Sequence, residues 1–549
     1  MAIRISVGGE FFDVLRKSGS YYVDKTGLLC DLVAANNAVS LFTRPRRFGK
    51  TLTMSMIQSF FDITRDSREA FKGLSVMENE AFCREWMNRY PVIFITLKDA
   101  EGSTFDLAYE KLKAVIAGTC RKLAFLETEA SVSAYDADVF RRLQAKTGTD
   151  EEVINSLSTV MRMMNAAYGK QVILLIDEYD VPLAKARDNG YYPQMLDVIR
   201  GILSASLKTN EGLKFAVVTG CLRIAKESIF TGVNNFRSYS VVDEDFSRYF
   251  GFTEKEVEDL LSAAGEEPYA GTIRDWYDGY IFGNTSVYCP WDVVNFVADA
   301  SGKEGFSPRN YWKNSSENGI IREFAENDQF QVSDKFEILL NGGTITQTVS
   351  DDLTYDTLRL KEDHLWSVLV MTGYLTMAEP GQSSGTIALK IPNQEIAAIF
   401  EETVMNLFAD TVDTGKVRSL TEALWNGDDR AATEILSDLL LDTISYHDYH
   451  EDYYHAFLAG IFVGRGYGVD SNKERALGRP DIQMTDRPTR RAVIIEAKKS
   501  AGEEQMENDC REALKQIVDR QYAKGLKDYR QIQCYGVAFF EKKALVKKL

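Results

Sequence analysis

Along the first ~250 residues, short continuous apolar runs alternate with longer stretches of helical period, the pattern of a parallel sheet covered by helices. The runs are AVSLFT (38–43), PVIFITL (91–97), QVILLIDE (171–178) and KFAVVTG (214–220). They lack polar alternation, as strands buried on both faces do. Near residue 246 the texture changes. GFTEKEVEDLL places Thr253 three residues before Glu256, a capping box that predicts an amphipathic helix. A mostly helical middle follows, containing the turn-rich aromatic segment 275–296, which leads into a helix after Pro290. From about 425 the pattern predicts helices to about 463, a strand region at 479–498 and further helix to about 525. No repeats or low-complexity tracts interrupt it. The division expected is 1–245, 246–424 and 425–549, consistent with a prior of roughly one unit per ~150 residues.

Composition narrows the class. The chain is 45% hydrophobic and 26% charged, with no apolar run near the ~18 residues that span a bilayer, so no membrane partner is expected. Its first fifteen residues lack the three regions of a signal peptide, and its seven cysteines lie far apart with no metal-like spacing to the four histidines. Reduced thiols in a cytoplasmic protein are expected. A net charge of −17 disfavours a generic nucleic-acid coat, because counterion release requires clustered Lys and Arg. Any nucleic-acid contact has to be local.

RPRRFGKT (44–51) ends like a phosphate-binding loop, G-x-x-x-x-G-K-[ST], but has Arg44 in place of the first glycine. Its setting is apolar strand, tight basic loop, amphipathic helix, the order such a loop needs. In that setting Gly49 lets main-chain N–H groups approach phosphates, Lys50 reaches the β- and γ-oxygens, and Thr51 holds Mg2+. Arg46 and Arg47 add cationic charge. The alternative is a basic turn with no ligand. VILLIDEYD (172–180) supplies the second half. Asp177, at the carboxyl end of its strand, is expected to bind the Mg2+ that Thr51 touches, and Glu178 to polarise the attacking water. Thr219 and Arg223, after the next strand, either sense the γ-phosphate or satisfy local main-chain groups.

The stretches YYVDKTGLL, FTRPRRFGKTL, LIDEYDVPL, VTGCLRIAKESIFTGVNNF and WYDGY together resemble the bacterial and archaeal AAA-ATPase-like family over roughly residues 5–280. That family has the same glycine-poor phosphate loop. The resemblance implies a P-loop NTPase fold with ATP as the nucleotide, and whether the chain forms a homo-oligomer stays open.

GRPDIQMTDRPTRRAVIIEAKKS (478–500) reads as a hairpin. If its turn centres between Pro488 and Thr489, Asp481 lies opposite Glu496, and Lys498 shares that face by the period of two. Two carboxylates and a lysine on one face suit Mg2+-assisted phosphodiester hydrolysis. The pattern resembles the PD-(D/E)XK nuclease superfamily, and YHAFLAG, GRPDI, IIEAKKS and ALKQI resemble the nuclease-like domain commonly fused to this NTPase family, over roughly 430–535. Related nucleases often place a further metal ligand where Glu451 stands. Between 473 and 499, Lys473, Arg475, Arg479, Arg487, Arg490, Arg491, Lys498 and Lys499 form a basic island suited to a phosphate backbone. The alternative is a solvated hairpin. His447, Glu451 and His455 share a helical face as a separate metal site or, in the plainer reading, as packing and surface residues. Gln516 contacts nucleic acid or caps a packing layer.

The fold class expected is therefore α/β: a P-loop NTPase domain, a helical middle, and an α/β PD-(D/E)XK nuclease-like domain. Two functions remain open. One is an ATP-dependent, Mg2+-dependent nuclease acting on DNA. The other is a nucleotide-gated switch that binds nucleic acid or a partner protein without cutting.

Overall fold

The computed structural model describes residues 3–208, 210–223, 235–312, 333–340, 342–350, 353, 362–381, 385–400, 413–443, 451–462, 468–471, 480–486, 489–526 and 528–549. The chain forms two compact units, Met1–Ser316 with Thr346–Glu395, and Glu317–Ile345 with Ile396–Leu549. This differs from the three-part division expected above, because the middle region is shared between the two.

The first unit is built on a parallel sheet of five strands: β1 (Val39–Thr43), β2 (Val92–Thr96), β3 (Val172–Asp177), β4 (Leu213–Gly220) and β5 (Phe236–Tyr239). Their order is β2-β3-β4-β1-β5. β1 and β3 are buried at every position, as continuous apolar runs require. In register, Leu41 pairs with Val218, and Leu175 pairs with Phe94 on one side and Val217 on the other. β5 was not expected. Its sequence, FRSY, is half polar because the strand lies on the sheet's edge beside β1 alone.

Beyond the sheet, the helices Glu254–Ala264, Ala270–Tyr277 and Pro290–Ala300 share a core of Val257, Leu261, Ile273, Tyr277, Val293 and Phe296. The capping box expected at the first helix is present, with Thr253 N donating to Glu256 at 2.7 Å. The aromatic segment before Pro290 is a two-stranded hairpin, Tyr280–Phe282 with Thr285–Val287. Gly279 enters it at φ 107°, and a Cβ there would lie 1.9 Å from the Pro392 carbonyl oxygen, so only glycine fits.

The second unit contains a mixed sheet of five strands in the order Gly468–Ser471, Ile482–Asp486, Arg491–Lys499, Gln531–Phe540 and Lys543–Lys548. The third and fourth are parallel and the other pairs antiparallel. Helices Thr414–Asn426, Asp429–Thr443 and Glu451–Phe462 pack on the sheet through Leu420, Leu436, Leu458, Ile495 and Val537. Helix Met506–Asp519 buries Cys510 and Ala513, and its Ile517 packs with Ala492 and Ile494. The last two strands were not anticipated from the sequence, although QIQCYGVAFF is a nearly continuous apolar run. The expected boundary near 425 falls inside the last turn of a helix whose Val417, Leu420, Leu424 and Trp425 belong to this core.

Candidate functional site

The loop between β1 and the helix Lys50–Phe61 turns with Arg47 at φ 72° and Gly49 at φ 80°. Gly49 is the residue before the helix, so the first free N–H groups of that helix open toward the loop. Arg44, which stands where a glycine is usual, is fully buried and serves as an anchor. Its Nη1 donates to the carbonyls of Thr43 and Tyr239, both at 2.8 Å. Its guanidinium lies 4.9 Å from the Phe250 ring centre and 5.6 Å from that of Phe282. Burial lowers its pKa to about 9, which leaves it cationic at neutral pH.

Lys50 is buried, with Nζ donating to the carbonyls of Arg44 (3.1 Å) and Pro45 (3.2 Å) and lying 3.4 Å from Glu178 Oε1. Burial opposes its charge, but Cys221, Glu178, Asp180 and Asp177 outweigh that and raise its pKa. Thr51 Oγ1 donates to Asp177 Oδ2 at 2.8 Å, and Thr219 Oγ1 donates to Asp177 Oδ1 at 2.5 Å. Asp177 is fully buried at the carboxyl end of β3, and burial raises its pKa against the pull of those hydroxyls. Glu178 follows at φ 55°, a left-handed conformation a non-glycine residue adopts at some cost. That turn leads the chain to Asp180, whose Oδ2 accepts from the main-chain N–H groups of Cys221 (2.8 Å) and Leu222 (2.9 Å). The carboxyl ends of β1, β3 and β4 are thus tied into one group of side chains. Arg46 is partly buried in the loop, and Arg223 is partly buried just after β4.

Arg47, expected beside phosphates, is engaged on the middle region. Its guanidinium lies 4.2 Å from the Trp291 ring centre, and its Nη1 donates to the Tyr311 carbonyl. Close to it lie three buried titratable groups, the Cys289 thiol and the Asp292 and Glu395 carboxyls. Asp292 faces both the Cys289 thiol and the Glu395 carboxyl, and Glu395 Oε1 accepts from the Trp312 main-chain N–H at 2.7 Å. With both carboxyls ionised, no hydrogen bond from the described residues reaches Asp292 Oδ1, Asp292 Oδ2 or Glu395 Oε2. A proton held between the two joins Glu395 Oε2 to one Asp292 oxygen, the Cys289 thiol also faces Asp292, and burial raises both carboxyl pKa values. No sequence signal pointed to this pair, since the two residues are about a hundred positions apart.

A cavity of about 410 Å3 opens beside the phosphate loop. Gly49, Lys50, Thr51 and Glu178 line it, and Tyr21, Phe252 and Trp291 also contribute to its wall.

In the second unit the hairpin has the expected register. Ile482 pairs with Ile495 and Met484 with Val493, which sets Asp481 opposite Glu496. The Asp481 main-chain N–H donates to Glu496 Oε2 (3.4 Å), and Asp481 Oδ2 accepts from the Ala497 main-chain N–H (2.7 Å). Lys498 Nζ lies 4.0 Å from Glu496 Oε1. Gln516, on the helix after the hairpin, donates to the same oxygen, so Glu496 is held from two sides although only 1% exposed. Of the basic island, Arg491 pairs with Asp486 at 3.2 Å and covers the Trp425 ring at 4.8 Å. Lys473, Arg475, Arg479 and Arg487 lie outside the described residues, as does His447. Glu451 and His455 lie on the helix Glu451–Phe462, but their side chains are also outside what is described.

Residues 6–230 match a family model described as a predicted AAA-ATPase, and residues 449–549 match that of the PD-(D/E)XK nuclease superfamily. The chain is similar to an uncharacterised protein in the vnfD 5′ region of Azotobacter chroococcum mcd 1, with 24% identity over 504 residues, 88% of this chain and 86% of the relative. Among solved structures it is similar to a Walker-type ATPase of Pyrococcus abyssi, with 14% identity, 69% of this chain and 96% of that one covered, and a TM-score of 0.36. Among the described residues no helix is long and apolar enough to cross a membrane.

Proposed function

Because the chain joins an AAA-ATPase-like domain to a PD-(D/E)XK nuclease superfamily domain, we propose that it is an ATPase whose nucleotide state governs a Mg2+-dependent nuclease acting on DNA. The observation that carries the reading is the grouping of Asp481, Glu496 and Lys498 on one side of the hairpin, with the carboxylates linked through main-chain N–H groups. A chain that only binds nucleic acid need not keep Asp481, Glu496 and Lys498 together, so their grouping favours the nuclease reading.

In the first unit, the helix N–H groups beyond Gly49 and the Lys50 ammonium bind the triphosphate. Thr51 and Asp177 are the residues that would hold Mg2+, and their donor set fits a hard cation, because it comprises a hydroxyl and a carboxylate in contact at 2.8 Å. Glu178, turned by its positive φ, orients the attacking water and accepts its proton. Thr219 Oγ1 holds the second Asp177 oxygen and so fixes the carboxylate's orientation.

In the second unit, Asp481 and Glu496 would hold a metal ion, which supplies Lewis-acid stabilisation to the phosphodiester. Lys498 places its charge beside the phosphate oxygens where negative charge develops. Gln516 keeps Glu496 oriented.

The test is incubation of the full chain with plasmid DNA and Mg2+ or Mn2+, with and without ATP, beside Asp481→Ala. Cleavage by the wild-type protein that Asp481→Ala abolishes supports the reading. DNA binding with no cleavage under any of these conditions replaces it with the nucleotide-gated binding switch.

A further inference from the structure

We propose that the cavity beside the phosphate loop is a nucleoside pocket in which the base stacks on Trp291, and that it takes purines in preference to pyrimidines. The inference rests on the nucleotide reading above and assigns the half of the ligand that the phosphate residues leave unaddressed.

The cavity's lining combines two kinds of chemistry. Gly49, Lys50 and Thr51 bring a helix N-terminus and a buried ammonium, suited to a polyanion. Tyr21, Phe252, Leu260, Trp291 and Val294 offer an apolar wall with flat faces. Of the other two cations on this lining, Lys25 is satisfied by Glu256 at 2.7 Å and the Arg248 carbonyl at 2.8 Å, and Arg47 is engaged by the Trp291 ring and the Tyr311 carbonyl. A molecule with an anionic tail and a flat, neutral head matches both. About 410 Å3 lies within the roughly 300–1,000 Å3 of ordinary small-molecule sites.

Trp291 is held as a platform. The Arg47 guanidinium lies 4.2 Å from its ring centre, and its Nε1 donates to the Tyr311 carbonyl at 3.3 Å. A Cβ at Gly8 would lie 3.6 Å from its Cζ3, so the amino-terminal segment passes against the ring. Despite these restraints the side chain is only partly buried and still lines the cavity. An indole fixed in orientation loses little entropy when a base stacks on it, and a two-ring base covers more of it than a one-ring base. Arg47 thereby joins the two, since it belongs to the phosphate loop by sequence and to the base platform by contact.

The experiment is calorimetric titration of the full chain, in Mg2+ buffer, with ATP, CTP and inorganic tripolyphosphate. Wild type, Lys50→Ala, Trp291→Ala, Trp291→Phe and Trp291→Leu are compared. Wild type should bind ATP more tightly than CTP. Trp291→Ala should weaken ATP by about 10- to 100-fold, the range of one base stack, and leave tripolyphosphate within about twofold. Trp291→Phe should keep most of the ATP affinity and Trp291→Leu should lose it, a comparison that stands even if the alanine variant does not fold. Equal ATP affinity in the Phe and Leu variants overturns the proposal. So does an equal loss of ATP and tripolyphosphate in Trp291→Ala, because Trp291 would then only steady Arg47 and the loop. Tripolyphosphate binding as tight as ATP in wild type also overturns it, while the phosphate site stands if Lys50→Ala loses both. A wild-type protein that binds neither ligand overturns the nucleotide reading, and the pocket with it.

Discussion

Thr51 and Asp177, 126 positions apart in the chain, meet through a hydrogen bond of 2.8 Å from the threonine hydroxyl to the carboxylate. The contact joins the first turn of the helix after the phosphate loop to the carboxyl end of β3. Lys50 and Glu178, each adjacent to one of these partners, lie 3.4 Å apart. Because they neighbour each other without sharing a role, their variants should separate. Lys50→Ala removes the main side-chain charge on the phosphates and should abolish ATP binding. Glu178→Gln should bind ATP within a few-fold of wild type and hydrolyse it about 10²–10³-fold more slowly. A fluorescent ATP analogue and a phosphate-release assay check both. Equal loss of binding in the two variants removes Glu178 from the role of base.

The Asp292–Glu395 pair makes a statement about pH. Burial and mutual repulsion raise the Glu395 pKa to about 9, far above an unfolded carboxyl near ~4.3. The folded chain therefore holds a proton that the unfolded chain has released across that interval. Stability from this source is fully present below the unfolded value and falls as pH rises toward 9. Thermal unfolding followed from pH 6 to pH 9.5 should show Tm decreasing. Glu395→Gln keeps a hydrogen-bonding group beside Asp292 without the titration, and its Tm should vary less over the same range. A wild-type Tm that stays flat or rises with pH contradicts the shared proton.

These two cases mark what was legible in the sequence. β1 to β4 were readable because strands buried on both faces are written as unbroken apolar runs. The hairpin register followed from counting outward from its turn, and Ile482 does face Ile495. β5 was missed because an edge strand contacts one neighbour and need not be apolar. The contacts of the phosphate-loop arginines were not legible for a different reason. Arg44 stands out in the sequence only as a replaced glycine and Arg47 only as added charge, whereas Arg44 goes to Tyr239 and Phe250, and Arg47 to Trp291 and Tyr311. Those partners lie about two hundred residues or more downstream, where local pattern carries no information about contact.

The helix Thr414–Asn426 offers a test of where the second core begins. Asp413 caps it, accepting from the N–H groups of Gly415 (2.7 Å) and Lys416 (3.2 Å), and Leu420 is 1% exposed against the sheet. A fragment of residues 413–549 should unfold in one cooperative thermal transition. One starting at 427 exposes the apolar face this helix covers and should aggregate. Leu420→Ala in the longer fragment should cost about 2–5 kcal/mol by urea denaturation. Identical solubility and Tm for the two fragments would place the helix outside the cooperative unit.

In the hairpin each side chain has different neighbours and should fail differently. Asp481 and Glu496 are linked through the Asp481 and Ala497 main-chain N–H groups, so removing either carboxylate should lower metal affinity and DNA cleavage together. Lys498 contributes charge and no metal-binding oxygen, and it is 25% exposed beside Glu496. Lys498→Ala should leave metal affinity nearly intact and slow cleavage about 10²–10³-fold, the usual effect of losing one positioned charge at a developing anion. Gln516→Ala should lie between these extremes, since its amide orients Glu496 without contributing charge, and a weakened metal affinity that Gln516→Glu does not restore fits that role. ATP hydrolysis should persist in all four variants, because Lys50, Thr51, Asp177 and Glu178 lie in the other unit. Metal titration by calorimetry and a plasmid cleavage assay on each variant provide the two readouts. If Lys498→Ala loses metal and cleavage in parallel with Asp481→Ala, the lysine holds the site together and has no separate part in the chemistry.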